Sequence, residues 1–329
     1  MRVLTPRLPH GLSEDQAVQA QRTLLDRYIR EQQLEDFIAW YYTPMALRFS
    51  DHLSPDVTVY DCMDELSAFQ GAPPELIDHE RSLFSRADVV FAGGASLFAS
   101  KRTQHDNVHL FPSSIDGKHF ASAREMQSDP ADQADIPHPR IGFYGVIDER
   151  LDRDLLREVA EQHPEWHFVL IGPVVKIRED ELPHGPNLHF LGQKEYADLP
   201  QYLAGWDVAM LPFAQNASTR FISPTKTPEY LAAGKPVVST PIRDVVKPYG
   251  DMGLVEIGAN AQEFGAAIEI CLGARRADWL AKVDEFLAGN SWDRTFQGMW
   301  KEIQRCLPSQ GAVSSASSSG MQERSGADV

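Results

Sequence analysis

The sequence predicts an α/β protein made of two Rossmann-like, doubly wound parallel-sheet domains. Three observations predict it. Short β-rich runs alternate with amphipathic helical ones almost throughout, as in a series of βαβ units. The strand runs, 166–171 above all, are near-continuously apolar, which a sheet covered on both faces requires. A polar, acidic stretch carrying Pro130, Pro137 and Pro139 interrupts the alternation, which then begins again.

In the first half the pattern gives strands over 2–5, 37–41, 57–60, 88–92 and 108–111. Helices fall between them, over 13–31, 44–52, 74–86 and 96–102, the first opened by Ser13 and Gln16 spaced as a capping box. In the second half strands are expected over 140–145, 166–171, 187–191, 207–212, 236–240 and 253–257. Helices are expected there over 152–162, 199–205, 225–233, 261–272 and 277–288, and Gly234 stands where a helix C-cap needs positive φ. The domains implied are 1–121 and 140–307, with a linker at 122–139. The Ser/Gly/Ala-rich tail 308–329 is too polar to order itself and reads as disordered. A doubly wound half usually carries more strands than the first one shows, so that domain reads as incomplete.

Composition sets outer limits. A chain of 329 residues fits two domains at roughly 100–200 residues each, and a 43 % hydrophobic content suffices for their cores. The net charge of -16 argues against a nucleic-acid partner, which needs a basic face. Three scattered cysteines, Cys62, Cys271 and Cys306, give no metal spacing and suit a reducing cytoplasm. No run of about 18 apolar residues crosses a membrane, and residues 1–10 lack the apolar core of a signal peptide. Peripheral association with a membrane stays compatible with this.

The chemistry concentrates in Ser223-Pro-Thr-Lys-Thr-Pro-Glu-Tyr-Leu-Ala-Ala-Gly-Lys-Pro-Val-Val238. Ser223 suits a helix N-cap and Pro224 its first turn. The helix begins at the carboxyl end of a parallel strand, where open α/β sheets take ligands. Its free N–H groups favour an anion, above all a phosphate. Lys226 in the first turn opposes the helix dipole unless an anion compensates it. Glu229 follows one turn later on the same face, where a carboxylate accepts two hydrogen bonds from a ribose diol. On spacing alone the same pair also reads as an i,i+3 surface ion pair.

The run SPxKxxEYLAxGKPVV resembles the donor-site helix of GT-B glycosyltransferases of the group 1, family 4-like kind. Ile141-Gly-Phe-Tyr-Gly-Val-Ile147, Leu170-Ile-Gly-Pro173, His189-Phe-Leu-Gly192 and Asp207-Val-Ala-Met-Leu-Pro212 resemble that family's donor-domain strand ends, in order. Ala87-Asp-Val-Val-Phe-Ala92 and Phe111-Pro-Ser-Ser-Ile-Asp116 resemble the end of its acceptor domain. The resemblance implies two domains facing a cleft and hexosyl transfer from a nucleotide diphosphate sugar to an acceptor hydroxyl, in bacterial polysaccharide or glycoconjugate synthesis. It implies no cofactor beyond that co-substrate, no metal, and a saccharide or lipid-linked acceptor. In the family the matching Glu, here Glu229, holds the donor ribose, and the matching Lys, here Lys226, holds the diphosphate with nearby amides. Gly145, Arg150, Ser223 and Thr225 complete the expected donor site. A nucleotide-sugar epimerase of the same fold, or a non-catalytic donor-binding remnant, are the alternatives.

Retaining members often carry a second Glu eight residues before the ribose-binding one; that position is Phe221. For the acceptor side, His10 after the first predicted strand, and Asp61, Asp64 and Glu65 after the strand 57–60, are the candidates for base or sugar contact. His10 also reads as an ordinary loop histidine, and the carboxylates as caps of the next helix. Trp40, Tyr41 and Tyr42 end another strand and read as packing, with sugar stacking the other use of such rings. Trp292 and Trp300 are expected to anchor a C-terminal segment that crosses back to the first domain.

Overall fold

The strands form two parallel sheets, one in each half of the chain, in a computed structural model that describes residues 2–273 and 276–308. The first half runs α1 (Glu14–Glu31), β1 (Ile38–Tyr41), α2 (Leu47–Ser50), β2 (Val57–Cys62), α3 (Leu76–Phe84), β3 (Val89–Ala92), α4 (Ala95–Lys101), β4 (Val108–Leu110) and α5 (Gly117–Ala121). Its sheet has the order β1-β2-β3-β4. Val57 and Val59 on β2 and Val89 and Phe91 on β3 bury one face; Tyr60, Cys62, Val90 and Ala92 bury the other. That double burial is why these strands read as unbroken apolar runs.

Residues 2–5 are not a strand. A strand needs a ladder partner, and β1 pairs only with β2 among the described residues. The segment instead runs along α1 beside Leu24, Leu25 and Tyr28, leaving Val3 76 % and Leu4 58 % exposed. Helix α1 buries no residue fully and is tied to α2 by the Arg22–Asp51 and Arg48–Glu14 ion pairs.

The second half runs β5 (Arg140–Tyr144), α6 (Arg153–Gln162), β6 (His167–Ile171), β7 (Leu188–Phe190), α7 (Leu199–Ala204), β8 (Val208–Leu211), α8 (Lys226–Ala232), β9 (Val237–Ser239), α9 (Arg243–Val245), β10 (Val255–Ile257), α10 (Ala261–Gly273), α11 (Arg276–Leu287) and α12 (Trp292–Cys306). The sheet order is β10-β9-β8-β5-β6-β7, all parallel. Strand order reverses between β5 and β8, so the crevice for a ligand lies beyond the carboxyl ends of those two strands.

The stretch 122–139 is bonded into the second domain. Gln133 is fully buried, donating to the Tyr202 carbonyl (3.1 Å) and accepting from the Trp206 indole (2.9 Å). Asp129 pairs with the buried Arg140 at 2.8 Å. Helix α12 crosses back to the first sheet, where Met299 and Ile303 pack on Val57, Val59, Val89 and Phe91. Trp300 packs on that cluster from its edge, whereas Trp292 is 53 % exposed and is no buried anchor. The tail expected to be disordered, 308–329, lies outside the described residues apart from Pro308. No described helix is long and apolar enough to cross a membrane.

Candidate functional site

At the reversal point β5 ends in Tyr144 and the chain turns at Gly145, whose φ is +143°. A Cβ there would stand 2.8 Å from Nζ of Lys226 and nearer still to its Cε. Lys226, the first residue of α8, therefore lies directly across the glycine turn, above the Phe143 ring at 5.9 Å. Among the described residues no carboxylate comes within ion-pair distance of its ammonium. Burial depresses the Lys226 pKa and nearby Arg150 adds to this, while Glu229, Asp148 and Asp64 oppose it. An ammonium held half-buried in a crevice without a direct counter-ion is a site for an anion.

Glu229 sits one turn along α8. Its Oε2 accepts the Tyr144 hydroxyl at 2.5 Å, which aims the carboxylate beside the glycine turn. Burial raises the Glu229 pKa; the Tyr144 bond and the Lys226 charge pull it back. Two other residues of the motif do structural work. Tyr230 is fully buried and its hydroxyl accepts the Tyr144 N–H at 3.0 Å. Lys235 donates to the Ala204 and Trp206 carbonyls at 2.8 and 2.9 Å.

Arg150 closes the other side. Asp148 grips its guanidinium through Nε (3.0 Å) and Nη2 (2.7 Å), and the plane lies over Phe69 of the first domain at 5.4 Å. Asp64, just after β2, faces this cationic pair: burial raises its pKa, and the charges of Arg150 and Lys226 lower it. The structure thus brings Gly145, Arg150, Lys226, Glu229 and Asp64 to one crevice between the domains. Ser223 is half-buried and Thr225 exposed. Ser223 does not cap α8: the N-cap is Thr225, with no side-chain bond, because Ser223 is turned against Gly94 of the first domain.

Asp61 and His10 fall elsewhere. Asp61 points to the face covered by α12, where its Oδ2 accepts the Trp40 indole at 3.1 Å. Burial pushes its pKa up to about 6. His10 is exposed in the turn before α1, and no described contact joins it to Lys226, Arg150 or Glu229. Glu65 belongs to a buried cluster: Lys101 pairs with it at 2.9 Å and with Glu80 at 2.8 Å, anchoring the loop that carries Asp64. Among the described residues no group of three or more His, Cys, Asp or Glu is placed to hold a metal ion.

Apart from the C-terminal crossing, contacts between the domains are not legible in the sequence. Phe221 packs against the first domain's core cluster, so the position at which the resemblance suggested a second Glu is here a hydrophobic anchor. Asp244, in α9, accepts the Ser96 N–H at the start of α4 through both oxygens (3.0 and 3.3 Å). A Cβ on Gly94 would meet Asp244 and stand 2.8 Å from the Ser223 Cβ, which is why that position has no side chain. Ser218 also donates to the Ala68 carbonyl at 2.9 Å.

Known proteins resemble this chain in sequence and in fold. Residues 138–273 match the family described as "Glycosyl transferases group 1". A glycosyltransferase assigned to teichuronic acid biosynthesis, TuaH of Bacillus subtilis (strain 168), is 26 % identical over 285 residues, spanning 81 % of this chain and 67 % of the relative. Among solved structures, HepE of Anabaena in complex with UDP and glucose superposes with a TM-score of 0.63 at 16 % identity, covering 86 % of this chain and 81 % of that one. Sucrose-phosphate synthase of Thermosynechococcus elongatus gives 0.67 at 16 % identity, covering 91 % and 80 %. The epimerase alternative finds no support among these relatives. The second domain matches group 1 glycosyltransferases, the two-domain architecture is the GT-B fold, and together with the relative they support a glycosyltransferase that takes its sugar from a nucleotide-sugar donor.

Proposed function

We propose that the donor diphosphate lies on Lys226 with Arg150 beside it, and that Glu229 receives the ribose hydroxyls. The observation that carries this is the Lys226 ammonium, half-buried across Gly145 with no carboxylate in direct contact among the described residues. As the glycosyl bond breaks, charge grows on the departing diphosphate, and Lys226 and Arg150 are already in place to stabilise it. No cofactor beyond the sugar nucleotide enters this scheme. Gly145 lines the same crevice, whereas Ser223 faces Gly94 and Thr225 is exposed. HepE of Anabaena was solved with UDP and glucose, so UDP-sugars are the first donors to test.

Of the acceptor-side candidates, Asp64 takes the role of orienting or deprotonating the acceptor hydroxyl, since only it faces Lys226 and Arg150. The acceptor is a saccharide, free or lipid-linked, and the pathway is bacterial polysaccharide or glycoconjugate synthesis, a reading supported by the TuaH relative. A cytoplasmic site of action accords with three cysteines that form no disulfide. The test is nucleotide release from a panel of donors in the presence of candidate acceptors. Asp64→Asn is expected to lower kcat roughly a hundredfold with donor Kd unchanged. Full activity of that variant removes Asp64 from the mechanism.

A further inference from the structure

A second cavity, of about 350 Å³, lies on the opposite face of β2, between the first sheet and α12. Its aromatic walls are Trp40, Tyr42, Phe111, Trp292 and Phe296. Tyr42, Trp292 and Phe296 are each more than half exposed although they gather at one place. A single exposed ring is ordinary; several around one concavity mark a binding surface. The cavity also holds Asp61, 3 % exposed, whose Oδ1 is buried with no hydrogen-bond partner. A buried carboxylate oxygen without a donor calls for a partner that the protein does not supply. No lysine or arginine lines the cavity to supply it.

We propose that this cavity is a saccharide subsite that holds one pyranose ring of the acceptor. The apolar C–H face of the ring lies on the aromatic walls, and one ring hydroxyl donates to Asp61 Oδ1. The size is that of a small-molecule site. The cavity continues toward the donor helix: Pro112, Ser113 and Thr295 line both it and a neighbouring one of about 310 Å³ that also contains Asp244 and Ser223, three residues before Lys226. The ring held here is thus remote from the reacting hydroxyl, and the subsite selects the acceptor by its neighbouring residue. This assignment rests on the transferase reading of the Lys226 crevice, and its test is independent of the donor.

The test is saturation-transfer difference NMR on the full chain without nucleotide. The probes are the methyl pyranosides of glucose, galactose, mannose and N-acetylglucosamine, with glucosamine as the cationic control. At least one methyl pyranoside is expected to receive saturation on its C–H face. Asp61→Asn and Phe296→Ala are each expected to weaken that binding roughly tenfold. Phe296 is 55 % exposed, so its truncation leaves the fold intact even if Asp61→Asn does not. Binding of UDP with no binding of any pyranoside overturns the subsite and leaves the donor site standing. Pyranoside binding that survives both variants, or binding of glucosamine alone, also overturns it. Pyranoside binding by a chain that does not bind UDP supports the subsite and overturns the donor reading instead.

Discussion

Lys226 lies across Gly145 so closely that a Cβ at that glycine would stand 2.8 Å from the lysine Nζ. In the proposed site, the side chain that meets the diphosphate and the turn that admits it are one construction. Gly145→Ala is therefore expected to displace Lys226 and to strain a backbone held at φ +143°. Nucleotide diphosphate binding should fall by about tenfold or more, for a stability cost of about 1 kcal/mol. Calorimetric titration beside thermal unfolding checks both figures.

Tyr144 aims Glu229 and sets its acidity. In the proposed site the Glu229 carboxylate must be ionised to accept both ribose hydroxyls, and burial already raises its pKa. Donor affinity is expected to fall as the pH drops through that raised value. Tyr144→Phe deletes the hydrogen bond that favours the ionised form, so the loss should begin at higher pH. UDP titrations at several pH values in both proteins measure this. Protonation of UDP itself is common to the two and cancels in the comparison.

Asp61 leaves a signature in stability. Its pKa rises from an ordinary 3.8 to about 6 on folding, so the folded chain holds this proton more tightly than the unfolded chain. Its burial then costs stability above pH 6, and the cost disappears as the pH falls toward the unfolded value. Between pH 5 and 8 the native chain should lose roughly 1 kcal/mol relative to Asp61→Asn. Denaturant unfolding of both proteins across that range reads the difference, and parallel pH profiles would show that Asp61 is not perturbed.

The parts of the fold that were legible in the sequence are those governed by local pattern. Strands such as 57–60 and 166–171 stand out because both faces are buried and the run is continuous. Lys226 and Glu229 stand out because a helix puts residues three apart on one face. Residues 2–5 have strand composition, but a strand exists only if a neighbour offers a ladder, and composition does not carry that information. Ser223 has the chemistry of a cap, yet the opposite domain claims it through Gly94. Phe221, Phe69 and Asp244 owe their roles to contacts across the cleft between residues far apart in sequence. Tyr144 was within reach, as a polar ring at the end of β5 beside the glycine turn, but its partner Glu229 lies 85 positions away. In α12 the tryptophans attract notice, while Met299 and Ile303, four residues apart on one face, hold the helix down.

The central claim is that Lys226 and Glu229 hold the donor nucleotide, and calorimetric titration of UDP into the native chain, Lys226→Ala and Glu229→Ala tests it most directly. Each variant is expected to bind roughly tenfold to a hundredfold more weakly, Lys226→Ala through lost diphosphate contact and Glu229→Ala through lost ribose contact. Native-like affinity in both variants would contradict the account.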